Sequence, residues 1–467
     1  MRTLTERELN RALLARQLLL ERARVPVPRA LELMGCLQAQ YAPSMYIGLW
    51  SRVHGFGRHD LTRLLEQRAV VQGTLMRVTI HLVSAGDYWP LALAVREARR
   101  ALWLRTVRDR GGEHDYAKAA EALRERLRAG PVRRAELDQL VGKGRAVGVG
   151  LWIDLVRVPP SGTWERRRAD LYAAAEDWLG LPPRELTREA ATVHLVRRYL
   201  TGFGPATAAD AAEWGGLRTS DVQEAMDGMD LRRFATEDGR HLFDLPDAPL
   251  PDPGTLAPVR FLPTWDATLL VHARRKGILA EEHRPLVFNT KTPHSVNTFL
   301  VDGRVAGTWR YQKGQVTVDA FEPPPGAARE EVAEAAARVA VFTPERGPGP
   351  GPPPVAPTVP RPPCARRLPP RSPCPPTPAG HRGGARRRPG SRRGGDRRTR
   401  RPCRWCTGRR TSPARSTGRD RRPRARTGDR AGRRRPGGAG RRRGRGRRGR
   451  ARRTPKGRPP GRRRCRR

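Results

Sequence analysis

The chain has 467 residues and a formal net charge of +47, but the charge is unevenly placed. Residues 1–342 carry 49 Lys+Arg against 42 Asp+Glu, a net +7; residues 343–467 carry 44 against 4, a net +40. Those last 125 residues hold 24 Pro, 21 Gly and only four large apolar side chains (Val355, Val359, Leu368, Trp405), which excludes a folded domain after about residue 345, because so little apolar surface cannot offset the entropy of ordering.

The remaining body has an ordinary composition. It has no apolar run of the roughly 18 residues that a membrane span needs. Met1 to Leu20 mixes arginine and glutamate with leucine and lacks the ordered regions of a signal peptide. Cys36 is its single cysteine, so a disulfide scaffold is excluded, and a cytoplasmic protein is the expectation.

In chain order, Thr5 and Glu8 form a capping box that opens a helix to about Glu21. A second helix starts near Pro26 and Pro28 and runs to Leu37. Gln38-Ala39-Gln40 then precedes a break at Tyr41-Ala42-Pro43, which permits extended backbone at a helix end. Helices are expected over 44–53 and 60–68, a β-ribbon over 70–83 with a bend at Gly73, and a long helix over 85–108. Short helices followed by a ribbon are the order of a winged helix. Residues 131–178 repeat it faintly, with a helix at 133–141, an apolar run at 149–158 and a second ribbon from Thr163–Arg168 and Leu171–Tyr172. Residues 188–245 give the clearest case: three helices, then two strands around Asp238-Gly239, a strong hairpin signal. From 258 to 322 strand-like runs (259–262, 286–288, 296–301, 304–310, 316–321) indicate a small antiparallel β-domain, and 330–340 an amphipathic helix.

The expected fold is therefore α+β: three tandem winged helices (1–130, 131–185, 186–250), a β-domain (251–342) and a disordered Arg/Pro/Gly-rich tail (343–467). The tail contains one Lys, Lys456, among its 44 basic residues. That bias fits GC-rich codons read out of frame, a frameshifted terminus, in preference to a nucleic-acid-binding tail or a solvated linker. Cys403 and Cys406 lack the second pair that a zinc site needs, and His194, His241, His272, His283 and His294 lack zinc spacing. No metal or cofactor is expected.

Four stretches resemble one family: Leu37-Gln-Ala-Gln40 with Gly48 to Arg52; Thr79-Ile-His-Leu-Val83; Arg197 to Asp210; and Leu300 to Trp309. They are similar, in the same order, to the winged-helix DNA-binding-domain proteins that include the AlkZ/YcaQ-like DNA glycosylases. The resemblance implies three winged helices and a β-domain around a DNA channel. It implies excision of alkylated purines and, in some members, unhooking of interstrand crosslinks. The family's catalytic Gln-X-Gln falls on Gln38 and Gln40. Arg77-Val-Thr-Ile-His81 departs from the usual Arg-Gly-Thr-X-His at Val78. The expected partner is double-stranded DNA carrying alkylated bases, bound by a monomer without a membrane; nucleoid association follows.

Such chemistry suits a neutral amide. Glutamine can orient a water but cannot take its proton, so it serves a leaving group that is already good, such as a purine made cationic at N7 or N3. Two glutamines at i and i+2 share one side only if the backbone is extended. Without the resemblance they read as ordinary helix-end polar residues. Arg52, Arg77, His81, Arg166 and Arg167 are candidate DNA contacts; His81 equally reads as a half-buried strand histidine, Arg77 as a solvated strand residue, and Arg166 and Arg167, with Arg168, as a charged solvent face. Trp265 and Trp309 read as core. A non-enzymatic winged-helix regulator is the alternative function, and would have no need of the glutamine pair.

Overall fold

The computed structural model describes residues 1–107, 112–168, 170–270, 276–288, 295–312 and 314–343. The basic segment from 344 on, with Cys403 and Cys406, lies outside the described residues, as do His272 and His294.

The described strands are β1 (Arg2–Leu4), β2 (Leu37–Gln38), β3 (Val70–Thr74), β4 (Ile80–Ser84), β5 (Val132–Arg133), β6 (Leu155–Arg157), β7 (Leu171–Ala174), β8 (Arg232–Thr236), β9 (His241–Asp244), β10 (Arg260–Leu262), β11 (Thr298–Val301), β12 (Arg304–Gln312) and β13 (Gln315–Ala320). They form three sheets, with orders β2-β4-β3-β6-β7-β5, β1-β8-β9 and β10-β11-β12-β13. With the helices between them, the architecture is mixed α+β.

The six-stranded sheet joins two segments that the sequence reading keeps apart. β3 pairs antiparallel with β6, Gln72 opposite Arg157 and Gly73 opposite Val156. β1 does not join the segment that follows it; it lies parallel to β8, Arg2 opposite Phe234. The helix Glu6–Arg16 keeps its expected capping box, the Thr5 hydroxyl accepting from the Glu8 N–H at 3.2 Å while Glu8 accepts from the Thr5 N–H at 2.8 Å. Its C-terminal Arg16 pairs with buried Asp244 of β9 at 2.7 Å.

Several expectations need correction. Gly73 is not a bend. It sits inside β3 because a Cβ there would come within 2.7 Å of the Tyr88 ring, and the hairpin turns instead at Met76–Val78. The apolar run 149–158 divides at Asp154, whose φ of 57° closes the helix Ala146–Ile153 and lets β6 begin. Thr163–Arg168 is not a strand; β6 and β7 supply the second hairpin. Leu286–Phe288 overlaps a short helix, Arg284–Val287, with Pro285 in its first turn, where a missing N–H costs nothing.

The helices Ala85–Thr106 and Arg188–Phe203 pack together at the centre of one core. A second core gathers the helices between residues 27 and 66, β10 to β12 and the last helix, Gly326–Phe342. Phe342 itself packs tilted against Trp50, with ring centroids 5.6 Å apart, and edge-on to Trp164 at 5.9 Å.

Candidate active site

The two glutamines do not end a helix. Gly35, at φ 73°, closes the helix Val27–Met34, and Cys36, at φ 85°, turns the chain into β2. β2 is the edge strand of the six-stranded sheet: Leu37 lies opposite Leu82, Gln38 lies opposite His81, and the Ala39 N–H donates to the Ile80 carbonyl at 2.7 Å. Leu37 and Ala39 are buried in the second core. In extended backbone that turns Gln38 and Gln40 to the other side.

The two glutamines nevertheless line different hollows. Gln38 is 8% exposed and faces a space of about 10 Å³ with Cys36, Arg77, His81 and Trp214, room for about one water. Its amide makes no hydrogen bond among the described residues. Gln40 is exposed and lines a cleft of about 790 Å³ with Tyr41, Arg157, Trp265 and Asn297. Its Oε1 accepts from the Ile80 N–H at 3.1 Å, so its NH2 end remains as the free donor. None of the described residues lining this cleft carries a carboxylate.

His81 is 2% exposed. Its Nδ1 lies 3.0 Å from the Thr79 carbonyl, which can only accept, so Nδ1 carries the proton and Nε2 is left as an acceptor. Burial, reinforced by nearby Arg77, pushes its pKa down to about 3, so the ring is neutral at neutral pH. Arg77 is half-buried, and its guanidinium donates to the Trp214 carbonyl at the end of the helix Ala208–Gly215. Burial lowers its pKa. Arg77 and Val78 both have positive φ, 54° and 60°. For a β-branched residue that is a strained conformation, and it is where the family pattern has glycine.

Arg52 is fully buried and forms a two-pronged pair with Asp266 at 2.8 and 2.9 Å, so its guanidinium faces the interior. Arg166 and Arg167 are exposed. Arg167 reaches the Tyr41 hydroxyl at 3.3 Å and lies over the Trp164 ring, which brings it to the residue after Gln40. Arg166 turns to Asp170 at 3.5 Å. Trp309 is core, 1% exposed, its indole N–H donating to Leu262 and Thr298 carbonyls at 3.0 Å. Trp265 is half-buried on the cleft wall, held at φ 64° with its N–H on the Ser295 hydroxyl at 2.7 Å. Sequence reasoning did not single out Arg157, whose only signal is that it is the one arginine in the apolar run 149–158. Among the described residues no group of three His, Cys, Asp or Glu side chains could hold a metal ion.

Residues 31–342, about two thirds of the chain and including both glutamines, match the sequence profile of the family described as DNA glycosylase AlkZ-like. The chain belongs to the AlkZ-like DNA glycosylase family. The DNA glycosylase AlkZ of Streptomyces sahachiroi is similar in structure, with a TM-score of 0.62 over 73% of this chain and 97% of that one. The two are 18% identical, so the likeness is one of fold. No curated protein matches the sequence. The AlkZ-like protein is thus a DNA glycosylase, an enzyme whose substrate is DNA, and none of its described helices is long and apolar enough to cross a membrane.

Proposed function

We propose that this glycosylase hydrolyses the N-glycosidic bond of purines made cationic by alkylation at N7 or N3 in duplex DNA, and that it can unhook interstrand crosslinks built on such purines. The observation that carries this reading is Gln40, a neutral amide fixed by the Ile80 N–H beside a cleft whose described lining holds no carboxylate. A normal base needs protonation before it leaves. A cationic base departs as a neutral leaving group and leaves an oxocarbenium sugar; a placed water adds to it and releases its proton to solvent water. Gln40 places that water at the anomeric carbon from the cleft, Gln38 supports it from the adjoining hollow beside His81, and Arg166 and Arg167 hold backbone phosphates. An amide forms no imine with the sugar, so the enzyme is monofunctional and leaves an intact abasic strand.

The test is incubation of the protein with a duplex containing 7-methylguanine, followed by alkali. Strand cleavage after alkali, and none before it, is the expected result. Gln40→Ala is expected to lose most of that release; undiminished excision by this variant overturns the role given to Gln40. Binding without any excision would favour a regulator.

A further inference from the structure

The buried arginines of this protein are, for the most part, neutralised by a named carboxylate. Arg16 pairs with Asp244, Arg52 with Asp266 and Arg99 with Asp154. Arg157 differs. It is half-buried at the end of β6, opposite Gln72 of β3, and like the half-buried Arg77 it has no ion-pair partner among the described residues. Its Nη1 donates to the Ala39 carbonyl, the residue between the two glutamines, at 3.1 Å. Its Nε is buried without a partner, as are those of the carboxylate-paired Arg16, Arg52 and Arg99. Burial lowers its pKa, while its interaction and hydrogen bond with the Tyr172 side chain act the other way.

A cation removed from water is costly unless an anion meets it. Arg157 lines the cleft beside Gln40, and the described cleft residues supply no carboxylate. Arg310, the other arginine of the cleft, is already paired with Asp319 at 2.8 Å. An anion arriving with the substrate would complete its pairing, and DNA carries one on every linkage. The alkylated base itself is an unsuitable partner, because it is cationic and its modified nitrogen has lost the lone pair an arginine would use.

We infer that Arg157 binds a phosphodiester oxygen of the damaged strand and, through the Ala39 carbonyl, holds Gln40 beside the nucleotide to be cut. This rests on Gln40 as the residue next to the lesion, and it makes the segment around β6, some 118 residues from Ala39, part of the substrate site. Phosphate contacts position the strand and carry no sequence information, as suits an enzyme that recognises damage.

The test is a cycle on the full chain. Wild type and Arg157→Gln are assayed on 7-methylguanine duplexes with all-phosphate linkages, or with one uncharged methylphosphonate stepped across the lesion. At one linkage the methylphosphonate is expected to lower wild-type kcat/KM by about 10- to 100-fold, the range of a charged hydrogen bond. Arg157→Gln is expected to lose a similar factor on the normal duplex, and the two together no more than either alone. Arg157→Lys, which keeps the charge but not the planar fork, should recover part of the KM loss. Losses that multiply at every linkage overturn the proposal and leave Arg157 a packing residue. If Arg157→Gln does not fold, Arg157→Lys carries the cycle: a reduced methylphosphonate penalty supports the proposal, and an unchanged one overturns it. Scoring the same duplexes by equilibrium binding separates this idea from the glycosidic one. A wild type that binds without excising removes the proposed reaction, and the coupling in binding still decides Arg157.

Discussion

Arg52 and Asp266 lie 214 residues apart in the chain and meet as a fully buried pair, Nη2 donating to Oδ1 at 2.8 Å and Nη1 to Oδ2 at 2.9 Å. Asp266 also accepts from the backbone N–H and hydroxyl of Thr268, at 3.1 and 2.7 Å, and Arg52 donates to the Gly48 carbonyl at 3.1 Å. The pair ties the helix Ala42–Trp50, just after the glutamines, to the loop that carries Trp265 onto the cleft wall.

Breaking this pair from one side strands a charge in the interior. Asp266→Ala is expected to cost about 3–5 kcal/mol, read as a lower urea midpoint. Replacing both partners, Arg52→Met with Asp266→Leu, should cost markedly less, since two apolar side chains leave no unpaired charge. Equal losses for the single and the double variant would show that packing, and not charge, is what the pair supplies.

Val78 offers a gain. At φ 60° its Cβ is crowded against its own backbone, a cost that glycine does not carry. Val78→Gly is therefore expected to raise stability by about 1 kcal/mol in chemical unfolding. Val78→Ala keeps a Cβ and should not. A Val78→Gly variant that is less stable would show that packing of the valine against the Tyr116 and Trp152 core outweighs the strain.

His81 gives a pH signature. Its folded pKa, about 3, lies below the ordinary value of 6.5, so the unfolded chain binds the proton more readily. Stability from the neutral buried ring is fully present above pH 6.5 and is lost as pH falls from there towards 3. Thermal unfolding across pH 7 to 4 should fall more steeply for wild type than for His81→Gln. Parallel curves would mean that His81 does not stay neutral in the folded protein.

The basic tail should govern salt dependence without governing chemistry. With 44 basic residues beyond Phe342, full-length protein should bind undamaged duplex in a strongly salt-sensitive way. A chain ending at Thr343 should bind with a much shallower salt slope and retain excision of 7-methylguanine. Loss of excision on removing residues 344–467 would assign the tail a part in the reaction.

Local signals were legible in the sequence wherever their cause is local. The Thr5–Glu8 capping box, the Asp238-Gly239 hairpin and the composition break after Phe342, where the last described helix ends, each depend on neighbours within a few residues. Gly73 misled because a glycine in a strand can mark either a bend or a close approach, and only Tyr88, brought back from the next helix, selects the second. The Gln-X-Gln pair was visible as a motif, but its surroundings were not. β4 makes it an edge strand, Ile80 fixes the Gln40 amide, and Arg157 holds Ala39 from another segment. A dihedral preference or a turn is set by the residues that make it, so sequence determines it. The charge, burial and free hydrogen-bonding groups around a glutamine come from chain segments that only tertiary packing brings together, and these decide what the pair can do.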